Sequence, residues 1–188
     1  MRRKDREMSV DFAEKVIDES PYGTLALVDK GKDRTYAVNL SIVRLEDRLY
    51  FHSAKGGLKV DLLEEGKTYG LSFVSYVHVP NVFSRERLEA LAGDPKAVGL
   101  LLSRVFTTEY SSAHVFGDLY LVEDPEEKRK VMEAICQKYT PDKMDFFDQA
   151  MEVGGPRVQV YGIHIQEIYG KRKKLDSQGE ELKWQREE

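Results

Sequence analysis

One stretch constrains this chain more than any other: Leu49 to Leu63, Leu-Tyr-Phe-His-Ser-Ala-Lys-Gly-Gly-Leu-Lys-Val-Asp-Leu-Leu. It begins as an aromatic-rich strand, turns at Gly56 and Gly57, and leaves as a short helix with Leu58, Leu62 and Leu63 on its apolar face and Val60 beside it. A strand that runs through small residues into a helix start exposes free backbone N–H groups and the positive end of the helix dipole, which together favour an anion. Lys59 would oppose that dipole unless an anion faces it. Ser53, Lys55, the two glycines and Lys59 therefore read as a phosphate cradle, with His52 on the strand beside it. The same residues would also serve a plain tight turn flanked by two solvated lysines.

The neighbouring segments are closely spaced strands. Tyr22–Val28 is followed by the turn Asp29-Lys30-Gly31-Lys32-Asp33. Thr35–Leu45 then alternates cleanly, with Tyr36, Val38, Leu40 and Ile42 on one face and Ala37, Asn39, Ser41 and Val43 on the other. The second face is small and partly polar, suited to a flat molecule lying against backbone or to ordinary half-exposure. A turn at Glu46-Asp47-Arg48 makes a hairpin expected to bring Asn39 and Ser41 near His52. Tyr69–Val79, Ala113–Val122 and Arg157–Tyr169 complete six strands, and a slip in apolar phase at Gly162 predicts a β-bulge. The hydroxyls of Tyr110, Ser111 and Ser112 cluster at the entrance of the fifth strand.

Helices fall at the connections. Asp11 with Glu14 predicts a capping box for a helix to about Glu19, stopped at Ser20-Pro21. Ser84–Ala92 and Pro95–Ser103 predict two short helices with Ser84 and Asp94 as N-caps. Asp124-Pro125-Glu126-Glu127 opens a helix to about Lys138, and Thr140-Pro141 restarts another carrying Met144, Phe147 and Met151. The pattern predicts one mainly β domain with peripheral helices (α+β), a six-stranded antiparallel barrel over residues 1–170 with a helical insert at 81–104. Residues 171–188 read as a charged C-terminal tail, mobile or settled against a partner chain.

With a formal net charge of −4 the chain has no global attraction to nucleic acid or to anionic membranes. Its one cysteine, Cys136, excludes an internal disulfide framework, and no apolar run reaches the length of a membrane span. A cytoplasmic location is the expectation. His52, His78, His114 and His164 match no metal-ligand spacing, and Walker, Rossmann and nucleophile-elbow motifs are lacking. A phosphate cradle without a catalytic side-chain set suggests that a cofactor carries the chemistry.

The charged start Met-Arg-Arg-Lys-Asp-Arg-Glu, Leu25-Ala-Leu-Val, Tyr50-Phe-His-Ser-Ala, Gly57-Leu-Lys-Val-Asp-Leu-Leu, Tyr110-Ser-Ser and Leu121-Val-Glu-Asp-Pro-Glu-Glu-Lys together resemble the pyridoxamine 5′-phosphate oxidase-like flavoproteins, nearest their Nim-type nitroimidazole-resistance subgroup. The resemblance implies a split β-barrel homodimer holding FMN at the subunit interface and passing electrons to a small aromatic or nitro-aromatic acceptor. It places Asn39, Leu40 and Ser41 on the strand beneath the flavin, His52, Ser53 and Ala54 at the cofactor, and Lys55 and Lys59 at its phosphate. Tyr110, Ser111 and Ser112 are expected at the ribityl-phosphate end or the facing cleft, and His52 is the residue tied to activity. The 81–104 insert departs from the subgroup's pattern and could alter the substrate. A non-catalytic module that stores or senses flavin or haem is the alternative.

Overall fold

A computed structural model of the protein describes residues 3–184. After β1 (Glu7–Met8), helix α1 (Val10–Glu19) buries Ala13, Val16 and Ile17. Its N-cap is Ser9 rather than Asp11: the Ser9 hydroxyl accepts the Phe12 N–H at 3.2 Å, and the helix starts one residue before Asp11. Asp11 still serves the helix dipole from the first turn.

β2 (Gly23–Asp29) and β3 (Arg34–Leu40) form a hairpin, with Thr24 opposite Asn39. The expected strand Thr35–Leu45 is broken at Ser41–Ile42, because its two parts pair with different neighbours. β3 joins β2, whereas β4 (Val43–Leu45) joins β5 (Arg48–Ala54). Ile42 loses ladder partners at this crossing. Its N–H donates to the Tyr139 hydroxyl at 3.0 Å, and its carbonyl accepts from Tyr139 and from the Lys138 ammonium, both at 3.0 Å. Those groups satisfy a buried backbone that would otherwise be orphaned.

With β6 (Thr68–His78), β7 (Glu109–Leu121) and β8 (Val158–Lys173), the strands form one antiparallel sheet of eight, in the order β3-β2-β6-β7-β8-β5-β4, with β1 on β8. The two ends of that path, β3 and β4, are joined by only two residues, so their ends lie within about 11 Å of each other. The sheet therefore rolls up around α1 and an interior made of Leu25, Leu40, Ile42, Phe51, Phe73, Val115 and Ile163. No ladder joins β3 to β4, and the expected six strands become eight through the break at Ser41 and the added β1.

The expected bulge at Gly162 lies elsewhere. The β7–β8 register shifts between Phe116↔Glu167 and Gly117↔Ile165, leaving Gln166 as the extra residue. Gly162 is small for another reason. The Tyr120 ring lies across it, where any Cβ would overlap the ring.

Helix α2 (Leu58–Asp61) follows β5. Between β6 and β7, α3 (Arg85–Gly93) is capped by Ser84 as expected. The second expected helix of the insert is present in part: after a turn in which the Asp94 carboxylate accepts the Lys96 N–H at 2.8 Å, Gly99 and Leu100 are helical and lead into one turn of π-helix at Leu101–Val105.

Helix α4 (Pro125–Tyr139) starts at Asp124, whose carboxylate accepts the N–H groups of Glu126 and Glu127. It packs Val131 and Ile135 on the sheet's outward face, against Val43, Tyr50, Val122 and Val160. The helix expected from Pro141 is a 3-10 segment, Pro141–Phe146, followed by α5 (Phe147–Gly154).

The C-terminal segment settles on its own chain up to Trp184. β8 continues to Lys173, Leu175 bridges to Glu181, and the Trp184 N–H donates to the Asp5 carbonyl at 3.2 Å. Glu181 receives Arg6, the Arg172 guanidinium lies 3.5 Å from the Trp184 ring centroid, and Arg104 pairs with Glu180. The rest of the expected tail, 185–188, lies outside the described residues.

Candidate functional site

Alternation along β5 decides what each side chain can do. Leu49 and Phe51 enter the interior, so Tyr50 and His52 turn to the outward face that α4 partly covers. His52 pairs with Val160 and is half-buried. Its Nδ1 is sealed from solvent and has no hydrogen-bond partner among the described residues. Burial first, and the Lys59 charge second, push the imidazole below its ordinary pKa. His52 is therefore neutral at neutral pH.

Lys59 is half-buried, and burial lowers its ammonium pKa. Its Nζ lies 5.9 Å from the Phe51 ring centroid. Among the described residues no carboxylate forms an ion pair with it. Ser53 is buried, whereas Ala54 and Lys55 are exposed at the strand end. The turn that follows needs its glycine: Gly57 has φ +110°, which L side chains rarely adopt, with open space on its Cβ side. α2 has only four residues, so its dipole is weak, and attraction for an anion rests on the lysines and the turn N–H groups.

Sequence reasoning does not single out Lys128, yet it joins the site. It reaches from α4 to donate to the Val158 carbonyl at 2.7 Å, and its pKa is lowered by burial and then by Lys55. Lys55, Lys59 and Lys128 thus make a cationic rim at the end of β5. The signal available was the one used for Lys59, a lysine early in a helix where the dipole disfavours it.

On the other side of the Ser41–Ile42 crossing, Asn39 is exposed, and its side-chain oxygen accepts the Thr24 hydroxyl at 2.8 Å. Ser41 is exposed in the crossing itself. Leu40 is an interior residue, leaving only its backbone to meet a ligand. The hairpin ladder ends at Val43↔Tyr50, two residues short of His52. Asn39 sits instead at one end of a cross-strand row: Asn39, Thr24, Ser72, His114, Tyr169.

That row edges a groove of about 490 Å³ lined by Thr24, Ala26, Gly70, Ser72, His114 and Phe116 among others. A second recess of about 340 Å³ shares Thr24 and Ser72 and adds Asn39 and Val77. The groove lies on the outward face and does not include His52. His114 in its wall is pushed below its ordinary pKa, by burial and then by Lys171.

Tyr110, Ser111 and Ser112 do not join the other site residues within one chain. They pair with Lys173, Arg172 and Lys171 on β8, whereas His52 pairs with Val160 on the same strand. Eleven positions of strand separate the two groups, roughly 36 Å when extended.

The fold, though not the details of this corner, is shared with known proteins. The family model described as pyridoxamine 5′-phosphate oxidase matches residues 9–172. No protein of curated function matches the sequence. Among solved structures, a candidate 5-nitroimidazole antibiotic resistance protein from Bacteroides thetaiotaomicron is 20% identical, with a TM-score of 0.63 over 88% of this chain and 86% of that one. The FAD and heme binding protein of Mycobacterium smegmatis is 19% identical, with a TM-score of 0.66 over 89% of this chain and 73% of that one. A FAD-binding protein from Mesorhizobium loti is 15% identical, with a TM-score of 0.52 over 90% and 98%. At these identities the likeness is one of fold. The family match, which spans nearly the whole sheet from α1 to the end of β8, carries the assignment: this chain belongs to the pyridoxamine 5′-phosphate oxidase family.

Proposed function

We propose that the protein binds a flavin nucleotide, FMN, on the outward face of the sheet with its phosphate at the cationic rim beside His52, and passes electrons from reduced flavin to a small aromatic or nitro-aromatic acceptor. One observation carries the reading. A half-buried lysine without a carboxylate, Lys59, stands beside His52 at the end of a strand that also offers the buried Ser53 hydroxyl. A cation kept partly out of water without a protein counter-charge fits a ligand that brings the charge, such as a phosphate. The small face of β3 gives a flat ring close access to backbone. When bound, the flavin supplies the one- or two-electron chemistry. The chain's residues do the rest: Lys55, Lys59 and Lys128 hold negative charge, Asn39 and Ser41 line the ring face, and His52 meets the acceptor.

The site takes in a second copy of the chain. Tyr110, Ser111 and Ser112 lie too far along β8 from His52 to serve the same ligand within one chain, and the apolar groove near Asn39 stays open among the described residues. A homodimer pairing these outward faces would bury the groove and bring the hydroxyl cluster of one copy towards the cradle of the other.

The first test is the visible absorption spectrum of the purified protein, with mass analysis of any cofactor released on denaturation. A flavin spectrum yielding FMN supports the reading. Release of FAD would correct the nucleotide, and a Soret band would move the protein to the haem-binding alternative. A protein that stays colourless in excess FMN would overturn it. His52→Ala should then abolish turnover of a nitro-aromatic acceptor while retaining flavin. Loss of flavin instead would make His52 a binding or folding residue.

A further inference from the structure

Two N–H donors meet at one end of the rolled sheet with nothing to receive them. Arg172 Nε and Trp184 Nε1 are both sealed from solvent and without a hydrogen-bond partner among the described residues. A guanidinium and an indole N–H donate only, so no change of tautomer answers this, and each needs an acceptor brought to it. The two are adjacent: the guanidinium carbon lies 3.5 Å from the Trp184 ring centroid and 5.9 Å from that of Phe12. Alternation explains the position. Along β8, Ile168, Gly170 and Arg172 share the inward face, where a Cβ on Gly170 would lie 3.1 Å from Phe12. Ser111 pairs directly with Arg172 and shares its face, opposite to that of Tyr110 and Ser112.

The acids of this corner are committed elsewhere. Asp5 takes Arg3 and Lys183, and Glu181 takes Arg6, Arg3 and Lys183. Glu109, two residues before Ser111, accepts the Tyr76 hydroxyl and the Leu175 N–H. Arg172 is thus a half-buried cation between aromatic rings, with no carboxylate paired to it among the described residues.

We infer that Arg172, Trp184 and Ser111 form a second binding site, apart from the Lys59 cradle, for the carboxylate of a small molecule. The guanidinium offers paired N–H groups that fit two carboxylate oxygens, and the indole N–H and the serine hydroxyl add two further donors. One unmatched guanidinium balances one negative charge, as a carboxylate carries and a phosphate dianion exceeds. Because both nitrogens are sealed, the ligand enters as segment 174–184 lifts. Surface ion pairs hold that segment, Lys183 with Asp5 and Arg104 with Glu180, together with the Trp184 backbone N–H on the Asp5 carbonyl. Bound carboxylate then fastens the segment, since it joins Trp184 to the end of β8.

Trp184 is the only tryptophan of the chain, so its emission reports on the site directly. The protein as purified is titrated with sodium acetate, against sodium chloride at equal ionic strength. Acetate should give a saturable change in the millimolar range. Arg172→Lys, which keeps the charge and loses the fork, should bind acetate about tenfold more weakly, and Ser111→Ala a few-fold more weakly. Lys59→Ala should respond as the unaltered protein does; loss of the response there would put the anion at the cradle and overturn the inference. An equal response to chloride would reduce the effect to screening of the surface ion pairs, and the absence of a saturable response would leave both donors to ordered water. Either result overturns the site, and saturation by sodium phosphate but not by acetate overturns the carboxylate. A second reading needs no variant: amide hydrogen exchange over 174–184 should slow several-fold in saturating acetate, and unchanged exchange would sink the proposed fastening.

Discussion

The outward face of the sheet has two halves built to different ends. The half formed by β4, β5 and the start of β8 is closed by α4, which sets Val131 and Ile135 against Val43, Tyr50, Val122 and Val160. Even its polar tips are paired: the Tyr50 and Tyr120 hydroxyls lie 2.9 and 3.0 Å from the Glu127 carboxylate and 3.0 Å from each other. The half formed by β2, β6 and β7 carries Ala26, Gly70, His114 and Phe116 with no helix over them, and Val74 and Val77 stay exposed beside it. Both halves belong to the same sheet and the same face. The difference is that one has found its cover within the chain, while the other has kept an apolar groove of the kind that marks a binding surface.

The largest effect should come from emptying the closed half. Ile135→Ala removes a buried side chain between α4 and the sheet and should cost about 2–5 kcal/mol in urea unfolding. In the open half, Phe116→Asp should change the stability of the isolated chain by under about 1 kcal/mol, since the ring is 45% exposed. The same substitution should shift sedimentation from dimer to monomer. A large stability loss with unchanged sedimentation would show that the open half is closed by the chain itself.

A smaller effect is expected from Tyr120→Phe, which removes one of two hydroxyls from Glu127 while Tyr50 remains. About 1 kcal/mol of stability should go, and the Tyr120→Phe/Tyr50→Phe pair should be non-additive by double-mutant analysis.

The smallest effect is one of pH. His52 and His114 both have pKa values lowered on folding, chiefly by burial, so the unfolded chain binds protons that the folded chain refuses. Stability should therefore be full above the unfolded histidine pKa of about 6.5 and decline as pH falls through it towards the folded values. Replacing either histidine by Asn should flatten that slope. A slope of the opposite sign would contradict the burial of both rings. Glu181, whose pKa is lowered chiefly by Arg6, adds a loss only at more acid pH, below the ordinary carboxylate range.

Much of the local structure was legible. Asp124-Pro125 and Ser84 cap their helices as the sequence indicates, because capping needs only a side-chain oxygen and the next few N–H groups. The Gly56-Gly57 corner follows from local geometry in the same way. Other readings failed where the deciding contact was distant. Gly162 is small because of Tyr120 on the neighbouring strand β7 rather than because of a bulge. The break at Ser41–Ile42 is tolerated because Tyr139 and Lys138 bind Ile42 from almost a hundred residues downstream. The tail folds back on charges at the N-terminus, Glu181 on Arg6, which composition alone presents as solvated.

For the site, the inventory was readable in the chain: a histidine, a serine and two lysines around a glycine turn at the end of an aromatic-rich strand. Tertiary structure alone decided their environments. It sealed Nδ1 of His52, left Lys59 with no carboxylate paired to it among the described residues, added Lys128 from another element, and set Tyr110–Ser112 at the far end of β8. The reason is physical. Propensity, capping and alternation act over a few residues of backbone, whereas burial, electrostatic field and the sharing of a site depend on which distant strands the register brings side by side.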